Sequence, residues 1–359
     1  MNEEAVTKTP SSKTSKPDKV PNEVKSVPNE VKSIPNEVKS VPNEVKPVQK
    51  EVKSVPNEAK SVPKGETSDC RGKNGKYASV YSFGPKGWQE NKEVCDQCFN
   101  FPNTTLKTPF GNTPIFIYEG KNDVWVSTEI QNKGTFESSK ANLMYKILKE
   151  DKEMNLLDIG SNLGVYALSA AKLGRKVLAV EALARNLQHI CSSVVAGQLQ
   201  DSVFLVHNAV SNDHTEVSLG VDKNNMGGTF VDVDADHIKK LKLGRAQGSY
   251  GKIHTVTMDD ILTLPIIDKF QKVFIKMDIE GFEARAVQKA SNLFKKIKIV
   301  GFVMEWEFHK GMKTADTIFE FMKENKFKPY SVSYNPSPLV IAQSANWPYD
   351  VLWLPESKR

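Results

Sequence analysis

The sequence predicts an α/β chain built on an open, doubly wound sheet of about seven strands, on three observations. From residue 155 onward, apolar runs of strand length alternate with segments of helical, amphipathic period. Short connections join them, with glycine at the strand-to-helix and helix-to-strand turns. The resulting β-α-β-α-β order calls for parallel strands with helices on both faces.

Taken in order, residues 114–120 and 123–130 read as two short strands joined by a Gly-Lys-Asn-Asp turn, followed by a helix over 137–148. Residues 155–160 form a strand ending in a glycine turn, and 165–173 a helix stopped by Gly174. A strand at 176–181, a helix at 186–195 and a strand at 203–210 complete the first half. Residues 217–221 and 227–233 read as a hairpin insertion. Residues 253–257 are a strand, with Asp259 placed to cap the short helix after it. Then come a strand at 272–280, a helix through Ala290, a strand at 297–307 and a helix at 314–325. Segments 330–334, 338–342 and 351–354 close the sheet.

The core belongs to the later part of the chain. Residues 1–66 contain no aromatic side chain and carry 12 Lys against 10 acidic residues, so +2 of the net +6. The remaining +4 is spread thinly, which gives no reason to expect a nucleic-acid partner. No run of 18 apolar residues occurs, so no membrane span is expected, and residues 1–20 lack the apolar stretch of a secretory leader. A cytoplasmic location is the default on that basis, with the secretory pathway as the alternative.

Within the tail, a seven-residue repeat beginning PNEVKS starts at Pro21 and returns at Pro28 and Pro35. It varies at Pro42 and Gln49 and resumes at Pro56. Seven residues is the coiled-coil period, but proline interrupts nearly every repeat and costs a helix about 3 kcal/mol. The tail therefore reads as a disordered spacer of extended character, whose partner the sequence does not name. Residues 67–112 form a cysteine-bearing junction with Cys70, Cys95 and Cys98, and 113–359 the main domain, which holds Cys191. One CxxC without a second ligand pair suits a disulfide-bearing cap in an oxidising compartment, inert thiols or a metal, in that order. The sequon Asn103-Thr104-Thr105 matters only on the secretory alternative.

Ligands of an open parallel sheet bind beyond the carboxyl ends of its strands, so the informative residues follow each strand. After the first comes Asp158-Ile159-Gly160-Ser161-Asn162-Leu163-Gly164. Gly160 permits the tight turn, Asn162 tolerates an unusual backbone, and Gly164 lets the helix begin close to a ligand. Asn162 stands where a dinucleotide fold needs glycine, which disfavours NAD and FAD, and Asp158 suits a ligand ammonium better than a phosphate. Glu181, after the second strand, is placed to accept two ribose hydroxyls. Asn208, after the third, is placed for an adenine edge. Lys276, Asp278 and Glu280 alternate on one face, a costly set unless paired or used. Glu305, Glu307 and His309 alternate likewise.

Together these residues resemble the FkbM family of methyltransferases, over about residues 123–307. The resemblance is carried by DIGSNLG (158–164), Glu181, NAVS (208–211), GGTF (227–230), TMDD (257–260) and, most specifically, KMDIEGFE (276–283). It implies a Rossmann-like methyltransferase sheet, S-adenosylmethionine as donor, and an oxygen acceptor such as a glycan or small natural-product hydroxyl. It further implies that Asp158, Gly160 and Glu181 hold the donor and that Asp278 and Glu280 stand at the active-site mouth. Ala182-Leu183-Ala184 departs from the Pro-x-Pro frequent in the family, which bears on the local turn. The expected chemistry is in-line displacement at carbon, with Asp278, Glu280 or His309 as base for the acceptor hydroxyl. A magnesium-assisted variant would have Asp278 and Glu305 share a cation. The alternatives are a scaffold that keeps the turn without catalysis and, less well supported, a dehydrogenase.

Overall fold

The computed structural model describes residues 75–96, 99–222, 225–232 and 250–356. The repeat tail, Cys70 and Cys98 lie outside the described residues. The chain opens with a hairpin, β1 (Ser79–Gly84) and β2 (Gly87–Glu90), and a second hairpin, β3 (Asn103–Leu106) and β4 (Thr113–Phe116). Helices α1 (Val126–Lys133) and α2 (Ser138–Glu150) follow. Next come β5 (Asn155–Ile159), α3 (Val165–Lys172), β6 (Val177–Glu181), α4 (Ala184–Ala196) and β7 (Val203–His207). A small region contains β8 (Ala209–Val210), β9 (Glu216–Asp222), β10 (Asn225–Asp232) and β11 (Lys252–Val256). The second half is β12 (Lys272–Met277), α5 (Glu283–Gln288), α6 (Ser291–Lys296), β13 (Lys298–Glu305), α7 (Lys313–Glu324), β14 (Phe327–Ser331) and β15 (Asp350–Pro355).

The main sheet is mixed and runs β14-β15-β13-β12-β5-β6-β7-β1-β2. Strands β13, β12, β5, β6, β7 and β1 are parallel, and β15 and β2 run antiparallel to their neighbours β13 and β1. Side chains alternate between two cores, as a sheet covered on both faces requires. Leu156, Val177, Ala179, Val203 and Leu205 pack beneath α2, α3 and α4. Leu157, Ile159, Leu178, Val180, Val206 and Ile275 pack against α5, α6 and α7. After β5 the chain winds outward through β6 and β7, then returns to β12 on the other side of β5. The strand order therefore switches between β5 and β12, and a crevice opens beyond their carboxyl ends. The hairpin β9–β10 belongs to a separate four-stranded sheet, ordered β10-β9-β11-β8.

Four local expectations are corrected. Residues 123–130 do not form a strand: Asp123 accepts hydrogen bonds from Val126 N (3.1 Å) and Ser127 N (2.9 Å), and this capping outweighs the strand preference of Val124-Trp125-Val126. The partner of β4 is β3, in the junction. Residues 338–342 make one isolated bridge, Tyr330↔Pro338, before a 3-10 helix at Ile341–Asn346; Pro336 and Pro338 lack the N–H a ladder needs. Asp259 does not cap its own helix; its carboxylate accepts from Leu293 N (2.8 Å) and Asn292 Nδ2 (2.9 Å) in α6. The junction is not a separate cap: β1 lies parallel to β7 and β2 adds beside it, taking the sheet from the expected seven strands to nine.

Candidate active site

The glycine turn and the end of β12 meet at the switch point. Asp278 N donates to Ile159 O at 3.0 Å, and Lys276 Nζ donates to Gly160 O at 2.6 Å. Gly160 has φ +77°, and a Cβ there would land on the Asp278 carbonyl oxygen, so only glycine fits. Asn162 also takes a positive φ of 50°, and its N–H donates to Glu181 Oε2 at 2.8 Å. Glu181 thereby ties the end of β6 to the turn. Its other oxygen accepts from Leu183 N (2.9 Å) and Asn186 Nδ2 (3.3 Å). Burial pushes its carboxyl up to about 7, although these three donors pull it down.

Around this turn lies a cavity of about 480 Å³. Gly160, Asn162, Glu181, Asn208, Asp278 and Glu280 all line it, as do Lys276 and Glu305. Three expected site residues do not. Asp158 is fully buried beneath the turn, 3.7 Å from Lys276 Nζ, and burial raises its carboxyl to about 6. Gly164 opens α3 at φ +81° against Ile190. His309 is sealed in the core, where Nε2 meets Glu283 Oε2 at 2.9 Å and Nδ1 meets Thr314 Oγ1 at 2.9 Å. Glu283 also accepts from Ile279 N at 2.8 Å, so this buried pair braces the left-handed turn at Glu280 (φ 55°) and Gly281 (φ 91°). Expecting His309 beside Glu305 fails because the strand ends at Glu305, and a 3-10 turn over Glu307–His309 breaks the alternation. The side chain of Asn208 is committed to backbone: it accepts from Phe83 N (2.8 Å) and donates to Phe83 O (2.9 Å) and His254 O (3.0 Å). It holds β1 and β11 to the end of β7.

The sequence reading missed a second cation. Lys140 of α2 is 5 % exposed, and its Nζ lies 2.8 Å from Asp350, 3.0 Å from Glu137 and 3.7 Å from Asp278. With Lys276, also 3.7 Å from Asp278, it brings a second ammonium to the same carboxylate oxygen, Oδ2. Burial alone would lift Asp278, but the two ammonium groups hold it below the usual range. Glu305 is the opposite case: burial, then the charges of Asp278 and Glu280, raise it well above that range. Glu305 Oε2 is buried with no hydrogen-bond partner among the described residues. The two shifts are opposite in direction: the ionised form is favoured at Asp278 and the protonated form at Glu305. Trp125 and Tyr349, both more than half exposed, stand at the cavity rim.

Residues 158–329 match the family model of the methyltransferase FkbM domain. Over this stretch the chain is similar to the FkbM methyltransferase domain. The matched stretch contains the glycine turn, Glu181 and the Lys276–Glu283 segment; Lys140, Tyr349 and Asp350 lie outside it. Among solved structures, the chain is similar to an O-methyltransferase from Bacillus cereus in complex with SAH, at 10% identity over 61% of this chain and 81% of that one, TM-score 0.34. It is similar also to a SAM-dependent O-methyltransferase from Thermotoga maritima, at 12% identity over 82% and 98%, TM-score 0.33. A SAM-dependent methyltransferase from Agrobacterium tumefaciens matches at 10% identity over 77% of each chain, TM-score 0.35. No protein of curated function shows significant similarity to the chain.

Proposed function

We propose that the FkbM-like domain transfers a methyl group from S-adenosylmethionine to a hydroxyl of a glycan or small natural product. The observation that carries this reading is one cavity holding both halves of the chemistry. Glu181 and the Gly160 turn line it together with Asp278, whose ionised form is favoured. The residues fit such a donor on three counts. Gly160 carries no side chain, so the backbone of the turn borders the cavity directly beside Asp278. Ser161 Oγ and Asn162 Oδ1 are buried without a hydrogen-bond partner, on residues that line the cavity. Setting aside Glu181 and Glu305, whose carboxyls are raised, Glu137, Asp278 and Glu280 line the cavity against Lys276, a balance that favours a cationic sulfonium over a phosphate-bearing ligand.

Glu181 would hold the ribose hydroxyls, the 160–164 turn the amino-acid end, and bound donor supplies an already activated methyl carbon. Asp278 is positioned to accept the proton of the acceptor hydroxyl, and Glu280 is the second carboxylate in reach of the cavity. Glu305, raised by burial and by the charge of Asp278, favours its protonated form and so spares Asp278 a second negative charge. Lys140 and Lys276 favour the ionised form of Asp278, so its carboxylate is available to accept a hydrogen bond from the acceptor hydroxyl and orient it.

Calorimetric titration of the full chain with S-adenosylmethionine and S-adenosylhomocysteine tests this. We expect saturable binding that Glu181→Ala weakens by roughly one to two orders of magnitude, since a lost charged hydrogen bond is worth about 1.5–3 kcal/mol. Folded protein that binds neither compound would refute the reading and favour a non-catalytic scaffold.

A further inference from the structure

We propose that Asn103 is an N-glycosylation site and that the domain matures in an oxidising, lumenal compartment. Two independent features of the structure carry this inference. Neither rests on the methyl-transfer reading.

The first is the setting of the Asn103-Thr104-Thr105 sequon. It opens β3, which among the described residues pairs in a sheet with β4 alone. Strand alternation puts Asn103 and Thr105 on the same side of the ribbon, and both are exposed. Leu106 and Ile115 are fully buried and anchor the ribbon, and Phe116 N donates to Ser193 Oγ of α4 at 2.9 Å. Asn103 pairs through its backbone with Phe116 and makes no side-chain hydrogen bond with the described residues. No residue of β3 or β4 lines the cavity, so a glycan there leaves the candidate active site clear.

The second is the disulfide between Cys95 and Cys191. It joins the segment just before β3 to the middle of α4, with Cα atoms 5.7 Å apart, and both residues are buried. This bridge is part of the core that the β3–β4 ribbon packs on, not a surface accident. Closing it requires two thiols to give up two protons and two electrons to a disulfide carrier, an exchange that oxidising compartments sustain and the cytosol reverses. The same compartments hold the lipid-diphosphate-linked oligosaccharides that modify sequons. In that step the bond from sugar C1 to the diphosphate oxygen breaks and a bond from C1 to Asn103 Nδ2 forms. The amide loses one proton, and the lipid diphosphate leaves.

The test uses the full chain recovered from eukaryotic cells that produce it. Digestion with peptide N-glycosidase in ¹⁸O-water should increase gel mobility and convert Asn103 to labelled aspartate. Thr105→Ala should abolish both signals and Thr105→Ser should preserve them, with melting unchanged in each because Thr105 is exposed. Digestion without reduction should return Cys95 and Cys191 in one linked peptide. Asn103 recovered wholly unmodified, or Cys95 and Cys191 both alkylated before reduction, overturns the proposal.

Discussion

Lys140 is the most informative perturbation of the candidate site. Its ammonium is buried among Asp350, Glu137 and Asp278, at 2.8, 3.0 and 3.7 Å. Lys140→Met keeps most of the apolar stem and removes only the charge, leaving the carboxylates without their common partner. Breaking a buried ion pair from one side costs about 3–5 kcal/mol, against about 5–15 kcal/mol for a whole domain. The pH dependence has a definite sign. Asp278 is held below its ordinary value, so its contribution is present above the unfolded pKa and lost as pH falls through the folded one. Without Lys140 that depression shrinks, and the deficit of the variant should be larger at about pH 6 than at about pH 3, below the ordinary aspartate value of about 3.9. Urea denaturation of wild type, Lys140→Met, Asp350→Asn and the double variant measures this. The double variant should be more stable than Lys140→Met alone, because the orphaned charge is gone. A Lys140→Met cost under about 1 kcal/mol, typical of an exposed pair, refutes the argument.

Three further outcomes follow from the same geometry. Gly160→Ala should cost clearly more than Gly174→Ala. Both have left-handed backbones, worth about 1–2 kcal/mol, but a Cβ at Gly174 meets nothing within 4 Å while one at Gly160 strikes Asp278; equal losses by urea melts would contradict this. Glu181 is raised to about 7, so the stability it contributes is present below the unfolded value and lost as pH rises through 7. The margin of Glu181→Gln over wild type should therefore grow by about 3 kcal/mol between pH 4 and 8, and a flat margin by chemical denaturation argues against the raised value. His309→Ala leaves Glu283 without its buried partner and should lower stability by about 1–3 kcal/mol. Its S-adenosylhomocysteine affinity, measured well below the melting temperature, should stay within a factor of three, and loss of binding would return His309 to the site.

The parts of the site readable from sequence are those whose geometry is local. The 158–164 turn, Glu181 and the Lys276–Glu280 alternation each depend on a strand and the residues just beyond it, so period and glycine placement suffice to bring most of them to one cavity. Lys140, Tyr349 and Asp350 were not readable. Lys140 sits in an ordinary amphipathic helix, and only the fold carries it to β12 and β15. The possible signal was a lysine on the otherwise apolar face of α2, between Glu137 and the buried Ala141 and Met144. Side-chain commitments were equally hidden: Asn208 follows β7 as expected, yet its amide serves the backbone of Phe83 and His254. The 123–130 segment was misread because its apolar residues suit a strand, while the deciding interaction is a single capping carboxylate.

Hydrogen exchange with and without saturating S-adenosylhomocysteine tests the central claim most directly, because it reports where a ligand binds as well as whether it binds. The account predicts slowed exchange in peptides covering 160–166 and 181–183, the turn and the residues Glu181 holds, with little change at β3–β4 or β14. Protection confined to other segments, or none in folded protein, would contradict a donor site at the β5–β12 switch point.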